Sequence, residues 1–289
     1  MRLGVVIDGG TIPAALAPVL AELTERAGLD LVWWRSSAPR STLALAASCA
    51  RVDGLVVGAE VVVDDTHPLY LAEERNVVDQ LLGGRLVVGL RSSGRRELDR
   101  EWLQVLLAAG APAPFRHEGP HFTVPAGLPE NRINPERQVR VTPAPFSLEP
   151  QVWLLDAPEL AGRYGISPLV GATTSAADAE RQWAALAADL AERAARLRRP
   201  GVRTWDPATT DAAALAIELR AERDRWGLDT LALDLPMEPG SAEWTAALAE
   251  LAGVVRPRLQ AHTLPPGLEE FWDDLRTTRR ETNEREVTT

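Results

Sequence analysis

Glu60 interrupts an otherwise apolar run, Val56-Val57-Gly58-Ala59-Glu60-Val61-Val62-Val63. A carboxylate in such a strand is costly unless paired or partly wet. At the mouth of an enzyme it could act as a general acid or base with a raised pKa; a partnered structural carboxylate is the alternative. A second cluster, Arg91-Ser92-Ser93-Gly94, follows the apolar run Leu86 to Leu90. A guanidinium, two hydroxyls and a flexible glycine are suited to holding a phosphate, although a polar strand–helix turn uses the same residues. His117 and His121 have the spacing of a helical metal pair, but Gly119-Pro120 between them argues against a helix. No Ser-His-Asp or Cys-His arrangement is readable, and Cys49, the single cysteine, falls in an apolar helix and reads as core.

The elements that must position these groups alternate along the chain. Apolar runs predict strands near 3–8, 30–34, 54–62, 85–90, 151–155, 167–171, 202–205 and 229–235. Amphipathic patterns predict helices near 12–27, 41–51, 68–82, 97–109, 158–164, 176–198, 209–226 and 242–258. Strands that are apolar throughout belong to a parallel sheet covered by helices. The economical solution is an α/β fold of the (β/α)8 TIM barrel type, a single domain over 1–262; an open doubly wound sheet is the fallback. A Pro- and Gly-rich insert at about 111–150 separates helix four from strand five, and its Phe115–Phe122 and Thr123-Val124-Pro125 pieces can pair as a hairpin. Residues 263–289, with charges of both signs, read as a partly disordered tail.

Barrel chemistry belongs at the carboxyl ends of the strands. That rule selects Asp8-Gly9-Gly10, Trp34-Arg35-Ser36, Glu60, Arg91 to Gly94, Asp156-Ala157, Gly171 to Thr174, Trp205-Asp206 and Pro236-Met237-Glu238.

Composition narrows the chemistry further. None of the 31 basic residues is a lysine, which excludes Schiff-base enzymes and lysine-dependent phosphate loops. A formal net charge of −10 argues against a nucleic-acid footprint. No apolar run is long enough to span a membrane, no basic-then-apolar leader opens the chain, and one cysteine fits a reducing compartment; a cytoplasmic location is expected.

Residues 67–90, HPLYLAEERNVVDQLLGGRLVVGL, form a complete helix-to-strand crossover. Pro68 opens the helix; Leu71, Val77, Val78 and Leu81 are expected to face inward and Glu73, Glu74, Arg75 and Asp79 to face water; Gly83 and Gly84 reverse the chain. This block resembles the bacterial luciferase-like flavin monooxygenase family. Looser matches lie at Gly28-Leu29-Asp30-Leu31-Val32-Trp33, Phe115 to Phe122, Pro150-Gln151-Val152-Trp153 and Gly227 to Leu233, so the similarity runs over roughly 3 to 260.

The resemblance implies an oxidoreductase or monooxygenase that binds reduced FMN or a deazaflavin (coenzyme F-420) at the barrel mouth, acts on a small organic substrate and forms a homodimer. Arg91, Ser92 and Ser93 would hold the phosphate, Trp34 would pack on the ring or substrate, Glu60 would be the catalytic polar group, and Ala59-Glu60 is where a non-proline cis peptide is expected. The chain departs from the family in three places. Arg91 and Ser93 fall near expected glycines, Leu155-Asp156-Ala157 stands where glycines and a serine are usual, and Trp33 to Pro39 is a short loop without the family's histidine. The alternative is a catalytically impaired barrel that serves as a partner subunit or binding scaffold.

Overall fold

The structure is a computed structural model that describes residues 1–35, 41–64, 66–111, 113–125, 137–147, 151–155, 157–170, 181 and 200–260. The helix expected at 176–198, Asp156, Gly171 to Thr174 and the tail 263–289 lie outside the described residues. All eight expected barrel strands are present: β1 (Arg2–Asp8), β2 (Leu31–Arg35), β3 (Val56–Val62), β4 (Leu86–Arg91), β7 (Gln151–Leu155), β8 (Ser167–Leu169), β9 (Pro200–Thr204) and β10 (Thr230–Asp234). Two short strands of the insert, β5 (His117–Glu118) and β6 (Thr123–Val124), pair antiparallel as the expected hairpin.

The eight strands hydrogen-bond in the order β8-β7-β4-β3-β2-β1-β10-β9, all parallel. Val170, just past β8, bridges to Gly201 of β9, and the Val202 N–H donates to the Val170 carbonyl at 2.9 Å, so the ring closes. The molecule is a (β/α)8 barrel with an irregular insert before β7.

Around it lie α1 (Ala17–Arg26), α2 (Thr42–Ser48), α3 (Pro68–Leu81), α4 (Arg96–Ala109), α5 (Pro158–Tyr164), α6 (Ala212–Trp226), α7 (Ala242–Glu250) and α8 (Arg256–Gln260), with a π-helical turn at Leu251–Val255 joining the last two. Their starts follow from local chemistry. Ser41, His67, Asp211 and Ser241 each accept a backbone N–H of the first turn, and Gly227 ends α6 with a φ of 66° that a glycine adopts without strain.

Strand side chains alternate between two cores. Leu3, Val5, Ile7, Val32, Trp34, Val57, Ala59, Val88 and Leu90 face outward and pack with the helices. Val6, Leu31, Trp33, Val87, Trp153, Leu155, Leu169 and Ala232 fill the barrel. The register agrees: Gly4 pairs with Leu31, Val6 with Trp33, Trp33 with Gly58 and Gly89 with Trp153, all of one parity.

The buried face of α3 differs from the one the apolar pattern predicts. Leu71 and Val78 are buried, but so are Arg75, Asn76 and Asp79, while Val77 and Leu81 are exposed. The insert lies against the helix and supplies partners to Asn76 and Asp79, and Asn76 in turn partners Arg75. The Asn76 amide donates to the Pro143 carbonyl at 2.8 Å, Arg75 donates to the Asn76 side-chain oxygen, and the Ser147 N–H donates to Asp79 at 3.0 Å. Burial lowers the Arg75 pKa to about 10, with Asp79 acting in the opposite direction.

Candidate functional site

The floor of the carboxyl-end mouth is a tryptophan pair. Trp33 and Trp153 stack at 5.4 Å with ring planes 7° apart, both buried inside the barrel. Room for them comes from the neighbouring strands: a Cβ on Gly58 or on Gly89 would lie inside the Trp33 ring. The Trp33 indole N–H donates to Glu60 Oε2 at 3.3 Å.

Above the rings sit two ion pairs. Glu60, its side chain 8% exposed, accepts from Arg91 Nε at 2.9 Å and from a terminal nitrogen of the same guanidinium, which is 29% exposed. Arg35 pairs with Asp234 at 2.9 Å, each about a quarter exposed. The register that sets Trp34 beside Ala59 places Arg35 next to Glu60, and Asp8 pairs with Arg35 on the other side. The Thr42 hydroxyl of α2 donates to the Glu60 carbonyl at 2.7 Å and fixes this part of β3. Glu60 therefore enters the mouth as the sequence suggests, as a partnered carboxylate.

Other expectations are corrected. Trp34 is fully buried on the outer face among helix residues, so it cannot pack on a ligand in the mouth; Trp33, one residue earlier, faces inward. Ala59 also faces the helices, and the cis peptide bonds of the described residues are Val124–Pro125 and Thr142–Pro143, not Ala59–Glu60.

The β4–α4 loop is not an open anion cradle. The Ser92 hydroxyl donates to Asp99 Oδ2 at 2.6 Å, and the Ser93 hydroxyl and N–H donate to Asp99 Oδ1 at 2.6 and 3.1 Å. The Gly94 and Arg95 N–H groups close onto the two serine oxygens at 3.0 and 3.1 Å. Asp99, in the first turn of α4, is itself buried. A carboxylate of the chain thus takes the donors that the sequence assigned to a phosphate.

Beside α3 and α4 the hairpin is held by Glu101, which the sequence reading missed. Glu101 accepts from the N–H of His121 at 3.0 Å and of Phe122 at 2.8 Å and meets His117 Nε2 at 3.0 Å. His67, whose Nδ1 accepts the Leu69 N–H, stands edge-on to Phe122 with ring centres 5.2 Å apart. His67 is thus the N-cap of α3.

Burial opposes the Glu101 charge, but His117 and the N–H groups of Phe122 and His121 outweigh it and hold the carboxyl below its ordinary range. Burial, aided by His117 and opposed by a hydrogen bond with Thr123, pushes His67 below the usual imidazole value. Both depressions leave the folded state binding fewer protons than the unfolded chain, so both contributions are present at neutral pH and fall on acidification. Protection factors of the 117–124 amides, corrected for the intrinsic pH dependence of exchange, should fall first below about pH 6.5, as His67 is forced to protonate, and again below about pH 4.3 with Glu101. His67→Gln should remove the first step and leave the second. Protection that stays flat from pH 7 to 4 would contradict this picture.

At the level of sequence, no family model and no curated protein matches the chain. Solved structures do match in fold. The oxygenating constituent of 3,6-diketocamphane monooxygenase from Pseudomonas putida, in complex with FMN, has a TM-score of 0.69 at 16% identity over 91% of this chain and 99% of that one. A riboflavin lyase with modified FMN and substrate riboflavin gives 0.69 at 12% over 93% and 95%. The coenzyme F420-dependent tetrahydromethanopterin reductase from Methanopyrus kandleri gives 0.60 at 11% over 90% and 99%. At these identities the likeness is one of fold: a (β/α)8 barrel over nearly the whole length of each chain compared.

Proposed function

We propose that the chain is a luciferase-like oxidoreductase of the monooxygenase type, which binds a flavin or deazaflavin ring at the carboxyl-end mouth and acts on a small organic molecule. The observation that carries this reading is the Arg91–Glu60 and Arg35–Asp234 ion pairs, which bring Arg91, Glu60 and Arg35 to adjacent strand ends above the stacked tryptophans. The pyrimidine edge of such a ring presents carbonyl, N–H and carbonyl in succession. A donor, an acceptor and a second donor along one side of the mouth are the complement of that edge. The residues present fit the ring, whereas the β4–α4 loop does not fit its phosphate.

When bound, such a cofactor supplies hydride transfer or oxygen activation. The chain's own residues then have a limited task. Arg91 and Arg35 offer donors and positive charge to the ring edge, and Glu60 accepts a hydrogen bond and keeps Arg91 in place. Trp33 and Trp153 form a buried, stacked floor beneath them. FMN and the deazaflavin named in the structurally similar proteins define the class to try first. Tyr70, Val77 and Leu81, exposed on the outer side of α3, support a homodimer as the working form.

The second reading, a barrel that has lost catalysis and persists as a partner subunit or scaffold, is favoured by one observation: Asp99 occupies the loop donors. Titration separates the two. Saturable quenching of tryptophan emission by riboflavin, FMN or a deazaflavin in the micromolar range supports the enzyme. No quenching by any of them at tens of micromolar leaves the scaffold.

A further inference from the structure

We propose that Asp99 is a built-in anion that makes the mouth select an unphosphorylated flavin-type ring over its phosphate ester. The proposal rests on the ring-binding reading above and narrows it to a ligand class.

The start of a helix of this length, following a barrel strand at its carboxyl end, is where an anion is ordinarily held by free N–H groups and hydroxyls. Here those donors are spent on the chain itself. Both serine hydroxyls and the Ser93 N–H go to the Asp99 carboxylate, and the Gly94 and Arg95 N–H groups go to the serine oxygens. Asp99 is 4% exposed, so its charge is shielded little by water.

The nearest cation of the strand end, Arg91, is turned to Glu60 rather than to the loop. A phosphate brought to this loop would meet a buried like charge and find no free hydroxyl. That repulsion exceeds the gain from one hydrogen bond. A ring without the phosphate loses nothing here, because its recognition lies at Glu60, Arg91 and Arg35.

Fluorescence titration of the full chain with riboflavin and with FMN tests the proposal. The wild-type protein should bind riboflavin at least as tightly as FMN. Asp99→Asn keeps the size and most hydrogen bonds of the loop, and Asp99→Ser opens it. Either should raise FMN affinity relative to riboflavin by about tenfold or more, the scale of one removed like charge. A carboxylate that only braced the loop would, when replaced, move both affinities together, and that result would overturn the proposal. Clear wild-type preference for FMN would overturn it as well while leaving the ring-binding reading intact. Failure of both flavins and of a deazaflavin to bind the wild type would remove that reading, and the proposal with it.

Discussion

Trp33→Ala is expected to lower the unfolding free energy by about 3–5 kcal/mol, the range for removing a large buried aromatic. Trp33 is 1% exposed, stacks on Trp153 and occupies the space left by two glycines on the neighbouring strands. Its loss would also strip Glu60 Oε2 of its indole donor. Neighbouring backbone cannot collapse into the gap, because the strands are fixed by pairing on both sides. Trp33→Phe should cost less than half as much. Urea unfolding followed by circular dichroism measures both. A Trp33→Ala loss under about 1 kcal/mol would mean that the ring is not packed as described.

Arg91→Met is expected to cost about 2–4 kcal/mol by leaving Glu60 without its cation. A fully buried broken pair costs about 3–5 kcal/mol, and the partial exposure of Arg91 screens some of that. Replacing both members, Glu60→Met with Arg91→Met, should recover most of the loss, since two well-packed apolar groups need no partner. The same double variant should no longer bind a flavin-type ring. A double-mutant cycle in urea gives the coupling, and additive single losses would contradict the pairing.

The barrel was legible because each strand is a short apolar run set between turns and helical repeats, a pattern that a parallel sheet buried on both faces produces. What such runs cannot show is which residue of each pair faces inward. In Leu31-Val32-Trp33-Trp34 no polar residue marks the outer face, and a slip of one position exchanges the two tryptophans. The signal that could have decided it lies on other strands: Gly58 and Gly89 lack side chains where one large ring must fit. For α3, the helical period marked an apolar face correctly at Leu71 and Val78 but could not foresee the insert backbone that partners the buried Asn76 and Asp79.

The site was legible in part. Glu60 was visible as a lone carboxylate among valines. Its environment was not, because Arg91 arrives only through the β3–β4 register. Asp234, the partner of Arg35, comes from the far end of the chain and reaches it only when β10 pairs with β1 and the ring closes. Ser92 and Ser93 read equally well as a phosphate grip or a turn. The deciding residue, Asp99, sits one helical turn beyond the segment in which loop chemistry was sought.

On the proposed reading the carboxyl-end mouth, between Arg35, Glu60 and Arg91, accepts a flavin-type ring, and crystals of the full chain grown with saturating riboflavin decide it. The expected result is density for the ring at the mouth, with its carbonyl and N–H edge against Arg91 and Glu60. Well-ordered Glu60–Arg91 and Arg35–Asp234 pairs with no ring above them, at a riboflavin concentration that saturates any binding seen in solution, would contradict it.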